Sequence, residues 1–368
     1  MLKKIIAVDQ GEFIGGAEMF FSDLLNKLSE EYEIHLITGN NQNYLSRYNR
    51  ANIRIYNINF FSLNLRNIKN FYKVFHVIKS YKKILAKVKP DLVISNTVRT
   101  HIFVSLTTFS KKIPLIWLAH DRTFSKIILK LFIKYPEKII ACSNYVAEYF
   151  RSILRDYKKI EVVYPFGIEP DIIKKIVKDR KSETIGMVGK FIDWKGQDLF
   201  IKMAADLKES GFNYKYEIIG SIYNEKKESE EYFNYCRNLI KTLSLENDLV
   251  IKTNINETVS LLNEIAHWKF LIHYSKHNEP LGRVILEGMA VGCIVLSNDC
   301  GGPKEIIINE KNGFLLEHDF QKFLQAVKLI IKKPPHVLLD VSRNAENSII
   351  NNYLWPQVIE KFKKCLVK

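Results

Sequence analysis

Thirteen short apolar runs, spaced along the whole chain, constrain what this sequence can fold into more than any other feature. In the first half they fall at residues 4–9, 33–38, 53–58, 91–95, 114–119, 138–142 and 160–164. In the second half they fall at 184–189, 216–220, 249–253, 270–273, 293–297 and 313–316. Between most of them lies enough chain for a crossover helix, the rhythm of parallel sheets covered on both faces. The runs are continuously apolar rather than alternating, as strands buried on both sides should be. The rhythm falters after residue 164, where Pro165, Gly167 and Pro170 precede the charged run 174–181. The expected fold class is therefore α/β, with two doubly wound domains at 1–165 and 183–350 joined by a linker at 166–182. Such domains are expected to face each other across a cleft, with ligands beyond the carboxyl ends of the strands. Residues 351–368 read as a separate C-terminal helix.

A length of 368 residues suits two domains. With 47% hydrophobic and 26% charged residues the chain is globular. No apolar run approaches the roughly 18–20 residues that span a bilayer. The opening stretch is interrupted at Asp9, too early for a signal peptide, and reads as a first strand. The five cysteines (Cys142, Cys236, Cys293, Cys300, Cys365) form no CxxC pair and leave an odd one, which suggests reduced thiols in the cytoplasm.

Lys and Arg number 55 against 40 Asp and Glu, a net charge of +15 that implies an anionic partner. Nucleic acid is disfavoured, because zinc-finger spacing and RNP-like aromatic motifs are missing. Residues 64–89 carry Arg66, Lys69, Lys73, Lys79, Lys82, Lys83, Lys87 and Lys89 among apolar side chains. Residues 122–138 set Ile127, Ile128, Leu131, Phe132 and Ile133 beside Lys126, Lys130 and Lys134. Basic amphipathic helices of this kind lie on anionic membranes. A helix with one face in the core and a solvated basic face has the same pattern, so both readings stand.

Two acidic residues stand eight apart in Glu279-Pro-Leu-Gly-Arg-Val-Ile-Leu-Glu287. Proline suits the first turn of a helix, where its missing N–H is not needed, so a helix is expected to start at Pro280. Glu279 then sits on its N-terminal rim, with Glu287 about 12 Å further along the axis. The helix start offers N–H groups and a positive dipole end to a phosphate. With a carboxylate for hydroxyls on each side, the element has the layout of a sugar–diphosphate–nucleoside. The rest of the helix is apolar (Leu281, Val284, Ile285, Leu286, Met289), so Glu287 should lie near buried surface. A charge there needs a partner or a task.

Ser275, the Glu279…Glu287 pair with Gly282, Gly288-Met-Ala, Asp299-Cys-Gly-Gly-Pro-Lys-Glu305 and Asn312-Gly313-Phe-Leu-Leu follow one another in this order. Residues 271–316 thereby resemble the donor-site segment of retaining glycosyltransferases of family 4, which have the GT-B architecture. The resemblance implies two Rossmann-like domains, the first for the acceptor and the second for a nucleotide-sugar donor, with the C-terminal helix crossing back to the first. Trp355 either anchors that return or belongs to the core of the second domain.

Other segments gain meaning from the same resemblance. Gly15 and Gly16 open a helix after the first strand. Adjacent glycines tolerate φ > 0 and let a backbone approach a ligand, although an ordinary βα turn has the same spacing. The resemblance makes this the Gly-Gly-Ala-Glu loop that closes over the donor phosphates and helps seat the acceptor. Gly189, Lys190 and Lys195 follow the first strand of the second domain. Fixed cations stabilise a leaving diphosphate most in the transition state. The family usually has arginine at the position of Lys190, and lysine lacks its bidentate fork, so Lys195 is the stronger candidate. His120 follows the strand at 114–119. The resemblance gives it contact with a sugar hydroxyl or the reacting face, whereas a lone histidine is as readily structural. His273, His277 and Glu279 have metal-ligand spacing, but a helix starting at Pro280 leaves both histidines outside it, and no Asp-x-Asp occurs. Neither a metal nor a cofactor is expected beyond the nucleotide-diphosphate sugar as co-substrate.

The activity implied is that of a retaining glycosyltransferase. It would move a hexose-type sugar from a UDP- or GDP-sugar to a glycan or lipid-linked acceptor, in bacterial surface polysaccharide or glycoconjugate biosynthesis. The location implied is cytoplasmic or peripheral on the inner face of the cell membrane. Glu279, His120 and Lys195 would carry the chemistry. Glu287 would grip the ribose, the main chain at Leu281 and Gly282 would join Lys190 and Lys195 on the diphosphate, and Thr253 and Ile255 would contact the base. Rival classes are a nucleotide-sugar epimerase, a sugar phosphorylase and a non-catalytic basic membrane- or polyanion-binding protein.

Overall fold

Each of the thirteen apolar runs holds a strand in the computed structural model, which describes residues 3–12, 14–48, 51–58, 71–122, 125–154, 157–176, 182–222, 227–253, 255 and 257–366. The chain forms two compact units, Met1–Pro165 together with Val358–Lys368, and Phe166–Gln357. In the first, β1 (Lys4–Val8), β2 (Glu33–Thr38), β3 (Ile53–Asn57), β4 (Leu92–Ser95), β5 (Leu115–Ala119), β6 (Lys138–Ala141) and β7 (Ile160–Val162) make a sheet of order β3-β2-β1-β4-β5-β6-β7. The second contains β8 (Thr184–Val188), β9 (Lys215–Ile219), β10 (Leu249–Lys252), β11 (Phe270–His273), β12 (Ile294–Asn298) and β13 (Phe314–Leu316), in order β10-β9-β8-β11-β12-β13. Every pairing is parallel.

Both orders reverse direction once. In the first sheet the reversal falls between β1 and β4, and in the second between β8 and β11. Crossovers leave a crevice beyond the carboxyl ends at such a point. Asp9 and Asn96 stand there in the first unit, and Gly189 and Tyr274 in the second. Central strands are buried on both faces, β5 being buried at all five positions, while the edge strand β3 is largely open. Helices cover the faces through apolar stripes. The helix Gly16–Leu28 turns Phe20, Phe21, Leu24, Leu25 and Leu28 inward, the i, i+4 spacing of an amphipathic helix. Its start is fastened by the Glu18 carboxylate, which accepts the Gly15 N–H at 2.9 Å.

Two boundaries differ from the sequence reading. The stretch expected as a linker, 166–182, is part of the second unit up to residue 176, and 177–181 lie outside the described residues. Phe166, Ile168 and Ile176 are buried, which no exposed linker would allow. The last helix is Trp355–Leu366 rather than 351–368, because residues 351 and 352 end the preceding helix Pro335–Asn352. Trp355 falls in the second unit, where its ring fills the space that a side chain at Gly167 would need. From Val358 onward the same helix counts with the first unit.

All five cysteines are buried and free. Among the described residues no helix is long and apolar enough to cross a membrane. Phe270 lies fully buried on β11, at the centre of the second sheet. Replacing it with alanine is expected to destabilise the second unit by about 3–5 kcal/mol, read from the denaturant midpoint of its unfolding.

Candidate functional site

Lys195 and Glu279, 84 residues apart in sequence, meet in the second unit: Lys195 Nζ donates to Glu279 Oε2 at 2.6 Å. Lys195 ends the short turn Asp193–Lys195 that follows β8, and Gly196 then starts the helix Gln197–Glu209. The ammonium also lies 4.2 Å from the centroid of the Trp194 ring, a cation–π arrangement. Buried Gln197 reaches back and donates to the carbonyls of Gly189 (3.1 Å) and Lys190 (2.8 Å), which fixes the loop beyond β8.

Glu279 is held from the other side by main chain. Its N–H donates to Cys300 O at 3.1 Å, and Gly302 N–H donates to Glu279 O at 2.8 Å. Gly301 has φ of 86°, and a Cβ there would strike the Glu279 carbonyl. A Cβ at Gly302 would strike Pro280 O and approach Leu281 Cα to 2.6 Å. Only residues without side chains fit at 301 and 302, which gives the Gly-Gly pair a physical role that sequence inspection left undefined. Asn298, at the end of β12, clamps the other arm by accepting from Ser275 N–H (3.1 Å) and donating to Ser275 O (2.7 Å).

The helix starts later than the proline suggested. It spans Arg283–Ala290, and Gly282, at φ 84°, is its N-cap. Pro280 stays outside, in the extended segment bridged to Gly301. The N–H groups of Leu281 and Gly282 bond to no acceptor among the described residues. Glu287, 3% exposed, does have a partner: its Oε1 accepts from Arg283 Nε at 2.9 Å. Arg283 in turn donates to Thr258 Oγ1 at 2.9 Å. The i, i+4 spacing of this pair was readable, yet Arg283 was not among the sequence candidates.

His273, weighed in the sequence only as a metal ligand, lies beside Glu279. It ends β11, is 5% exposed, and its Nδ1 lies 3.0 Å from Ser297 Oγ. Its Nε2 stands 3.7 Å from Glu279 Oε2, too long for a hydrogen bond, and bonds to nothing else among the described residues. His277 is exposed, so the two histidines of the metal reading are split. No cluster of three or more His, Cys, Asp or Glu suited to a metal occurs among the described residues.

Burial alone would raise the Glu279 carboxyl, but the Lys195 charge and His273 outweigh it and bring its pKa from 4.5 down to about 2. Not every predicted residue joins this cluster. Thr253 and Ile255 follow β10, the sheet edge, with β9 between them and β8, and residue 254 lies outside the described residues. Gly15, Gly16 and His120 belong to the first unit. Gly15 is extended (φ −125°), and the left-handed glycine of that loop is Gly11. His120 follows β5, and its Nε2 lies 2.9 Å from Asn96 Oδ1.

The fold is that of the GT-B glycosyltransferases. The family of glycosyl transferases group 1 matches residues 168–348, and glycosyltransferase family 4 matches residues 14–169. The chain belongs to these family-4 glycosyltransferases. An uncharacterised glycosyltransferase of Methanocaldococcus jannaschii is 24% identical over 95% of this chain and 94% of its own length. A GDP-Man:Man(3)GlcNAc(2)-PP-Dol alpha-1,2-mannosyltransferase of Caenorhabditis elegans is 28% identical over 42% of this chain and 34% of its own. Among solved structures, Anabaena HepE in complex with UDP-glucose has the same fold, with a TM-score of 0.77 at 20% identity over 99% of both chains.

A carboxyl depressed in the folded state contributes stability above its unfolded pKa and loses it as pH falls through the folded one. Glu279 should therefore contribute about 3 kcal/mol at neutral pH, lost between about pH 4.5 and 2. In Lys195→Met that acid-dependent component should shrink. Chemical denaturation at a series of pH values checks this, and an unchanged acid limb would contradict the pairing.

Proposed function

We propose that this glycosyltransferase is a retaining enzyme that moves a hexose-type sugar from a UDP- or GDP-sugar to a glycan or lipid-linked acceptor, without a metal ion. The observation that carries the reading is the Lys195–Glu279 pair beside the unpaired N–H groups of Leu281 and Gly282. A diphosphate oxygen can take hydrogen bonds from those N–H groups and from Lys195, while Glu279 receives hydroxyls of the attached sugar. As the glycosidic bond breaks, the leaving phosphate gains charge facing a fixed ammonium, and the sugar gains positive charge facing a carboxylate. Both interactions strengthen toward the transition state, which is the condition for catalysis. The acceptor hydroxyl attacks the face that the phosphate leaves and passes its proton to that phosphate. Glu287, aligned by Arg283, is assigned to the ribose hydroxyls, Lys190 and Gly189 to the diphosphate side, and Thr253 and Ile255 to the base. His120 is assigned to a substrate hydroxyl, with Gly15 and Gly16 beside the phosphates.

The relatives support both donor nucleotides. Anabaena HepE holds UDP-glucose, and the nematode relative is named for GDP-Man and for Man(3)GlcNAc(2)-PP-Dol. An acceptor attached to lipid fits a surface-glycan pathway and a membrane-facing site. On the helix Lys126–Phe132, Leu129 is buried while Ile127 and Leu131 are 78% and 60% exposed. Lys126, Lys130 and Lys134 flank them, exposed in turn. On the helix Phe71–Val88, Phe75 stands exposed with Lys79, Lys82, Lys83 and Lys87, whereas Arg66 and Lys69 lie outside the described residues. Apolar tips among lysines suit an anionic bilayer, at the cytoplasmic face for an enzyme consuming nucleotide sugars.

A nucleotide-sugar screen by thermal shift, with and without chelator, should single out one donor, whose binding survives chelation. Glu279→Ala should still fold, less stable than the wild type by about 3 kcal/mol, and lose at least 100-fold in turnover with that donor. Near-normal transfer by this variant would remove Glu279 from the mechanism. Epimerised free donor, or phosphate-dependent release of sugar 1-phosphate, would move the protein to another enzyme class. Retention is read from the anomeric configuration of the product.

A further inference from the structure

A second buried polar chain lies in the first unit, at the carboxyl ends of three adjacent strands. Asp9 follows β1, Asn96 follows β4 and His120 follows β5. Asp9 and Asn96 have no solvent exposure. Their backbones continue the parallel ladder, Asp9 N–H donating to Ile37 O and Asn96 N–H to Val8 O, each at 3.0 Å. Asp9 and Asn96 are therefore held by the sheet itself, and His120 directly follows the buried strand β5.

The hydrogen-bond chemistry of the chain has a direction. Asn96 Nδ2 donates to Asp9 Oδ1 at 3.1 Å. An amide nitrogen can only donate and an amide oxygen can only accept. With its nitrogen committed to Asp9, Asn96 turns its oxygen to His120 Nε2 at 2.9 Å. Nε2 must then carry the hydrogen. We propose that Asp9 and Asn96 are positioning residues that hold His120 as its Nε2–H tautomer, leaving a lone pair on Nδ1 to accept a hydrogen bond from a substrate hydroxyl. The proposal rests on the assignment of His120 to substrate made above, and it adds which atom of the ring makes the contact and in which sense.

The surroundings agree. No described group bonds His120 Nδ1. Burial brings the imidazole pKa from 6.5 down to about 4, with the neighbouring Asp121 opposing, so the ring is neutral at pH 7. The other titratable groups near it are Cys142, whose Sγ donates to His120 O at 3.2 Å, and Asp9, reached through Asn96. Asp9 itself is raised by burial, with Tyr44 and Asn96 opposing, and Tyr48 donates to the Tyr44 hydroxyl at 2.7 Å. Asp9 Oδ2 has no hydrogen-bond partner among the described residues. A single amide thus separates the buried acid from the imidazole, and its orientation sets the histidine proton. A neutral ring presenting Nδ1 cannot deliver a proton from that atom. It selects for a hydroxyl at that point of the substrate and against an ether or a deoxy position, since a buried acceptor left unpaired is costly.

The test is long-range nitrogen–proton NMR of the full chain labelled with ¹⁵N-histidine, with the His120 signal assigned by its loss in His120→Gln. The expected spectrum is a neutral ring protonated on Nε2 across pH 6 to 8. Asn96→Leu should give mixed tautomers and a roughly 10–100-fold fall in kcat, with KM changed less. Asp9→Asn frees the amide to turn and should likewise mix the tautomers. Asn96→Asp keeps an oxygen facing Nε2–H, so it should retain the tautomer, exceed Asn96→Leu in activity and add an acid limb to the pH–rate profile. A wild-type ring protonated on Nδ1, or an unchanged tautomer in folded Asn96→Leu and Asp9→Asn, overturns the proposal. The wild-type spectrum is decisive even where a variant does not fold. Normal transfer by His120→Gln, together with the expected spectrum, would leave the tautomer standing and cancel the hydroxyl contact.

Discussion

The pairing of Lys195 with Glu279 is the constraint around which the second unit is arranged. A carboxylate 8% exposed is tolerated only where a cation compensates it, and the cation comes from the far side of the sheet's switch point. Bringing them together requires the turn after β8 and the loop after β11 to lie side by side. Lys276 N–H donating to Trp194 O at 2.8 Å secures that contact at the level of main chain. Lys276 Nζ reinforces it through Asp193 at 2.6 Å and Asp198 at 3.0 Å. The charged groups are therefore held in place by contacts within the protein itself.

The loop carrying Glu279 is built by backbone packing more than by side chains. Residues 279–281 are closed in by Gly301 and Gly302, with hydrogen bonds on both sides of Glu279. This geometry also explains why the helix waits until Arg283. While residue 279 pairs with Gly301 in an isolated parallel bridge, the chain is extended there and cannot already be helical. Gly282 then makes the change of direction at a positive φ that other residues rarely adopt.

Much of this was legible from residues alone. The central strands could be placed because a strand buried on both faces leaves an uninterrupted apolar run, and here the runs rarely merge with helical stripes. Lys195 and Glu279 were legible as separate candidates, since cations after a strand and a carboxylate in an apolar setting both stand out. Their contact was not, because 84 residues of chain intervene. The helix start was misplaced for a local reason: proline at 280 satisfies the rules for a first turn, and only the tertiary pairing with Gly301 overrides them. The Asp9–Asn96–His120 chain was invisible for a similar cause. Asp9 and Asn96 are 87 positions apart, and an ordinary asparagine after a strand carries no mark of its partners.

The first unit is not continuous in sequence: Val358–Lys368 completes it after the whole of Phe166–Gln357 has been made. Cys365 and Leu366 line a cavity of about 650 Å³ at the amino ends of β1, β4 and β6, opposite the ends that carry Asp9, Asn96 and His120. During synthesis on the ribosome the sheet of the first unit can assemble early, but its last helical segment is made only after the whole of the second unit. The nascent chain must therefore carry an unfinished first unit through the production of the entire second one.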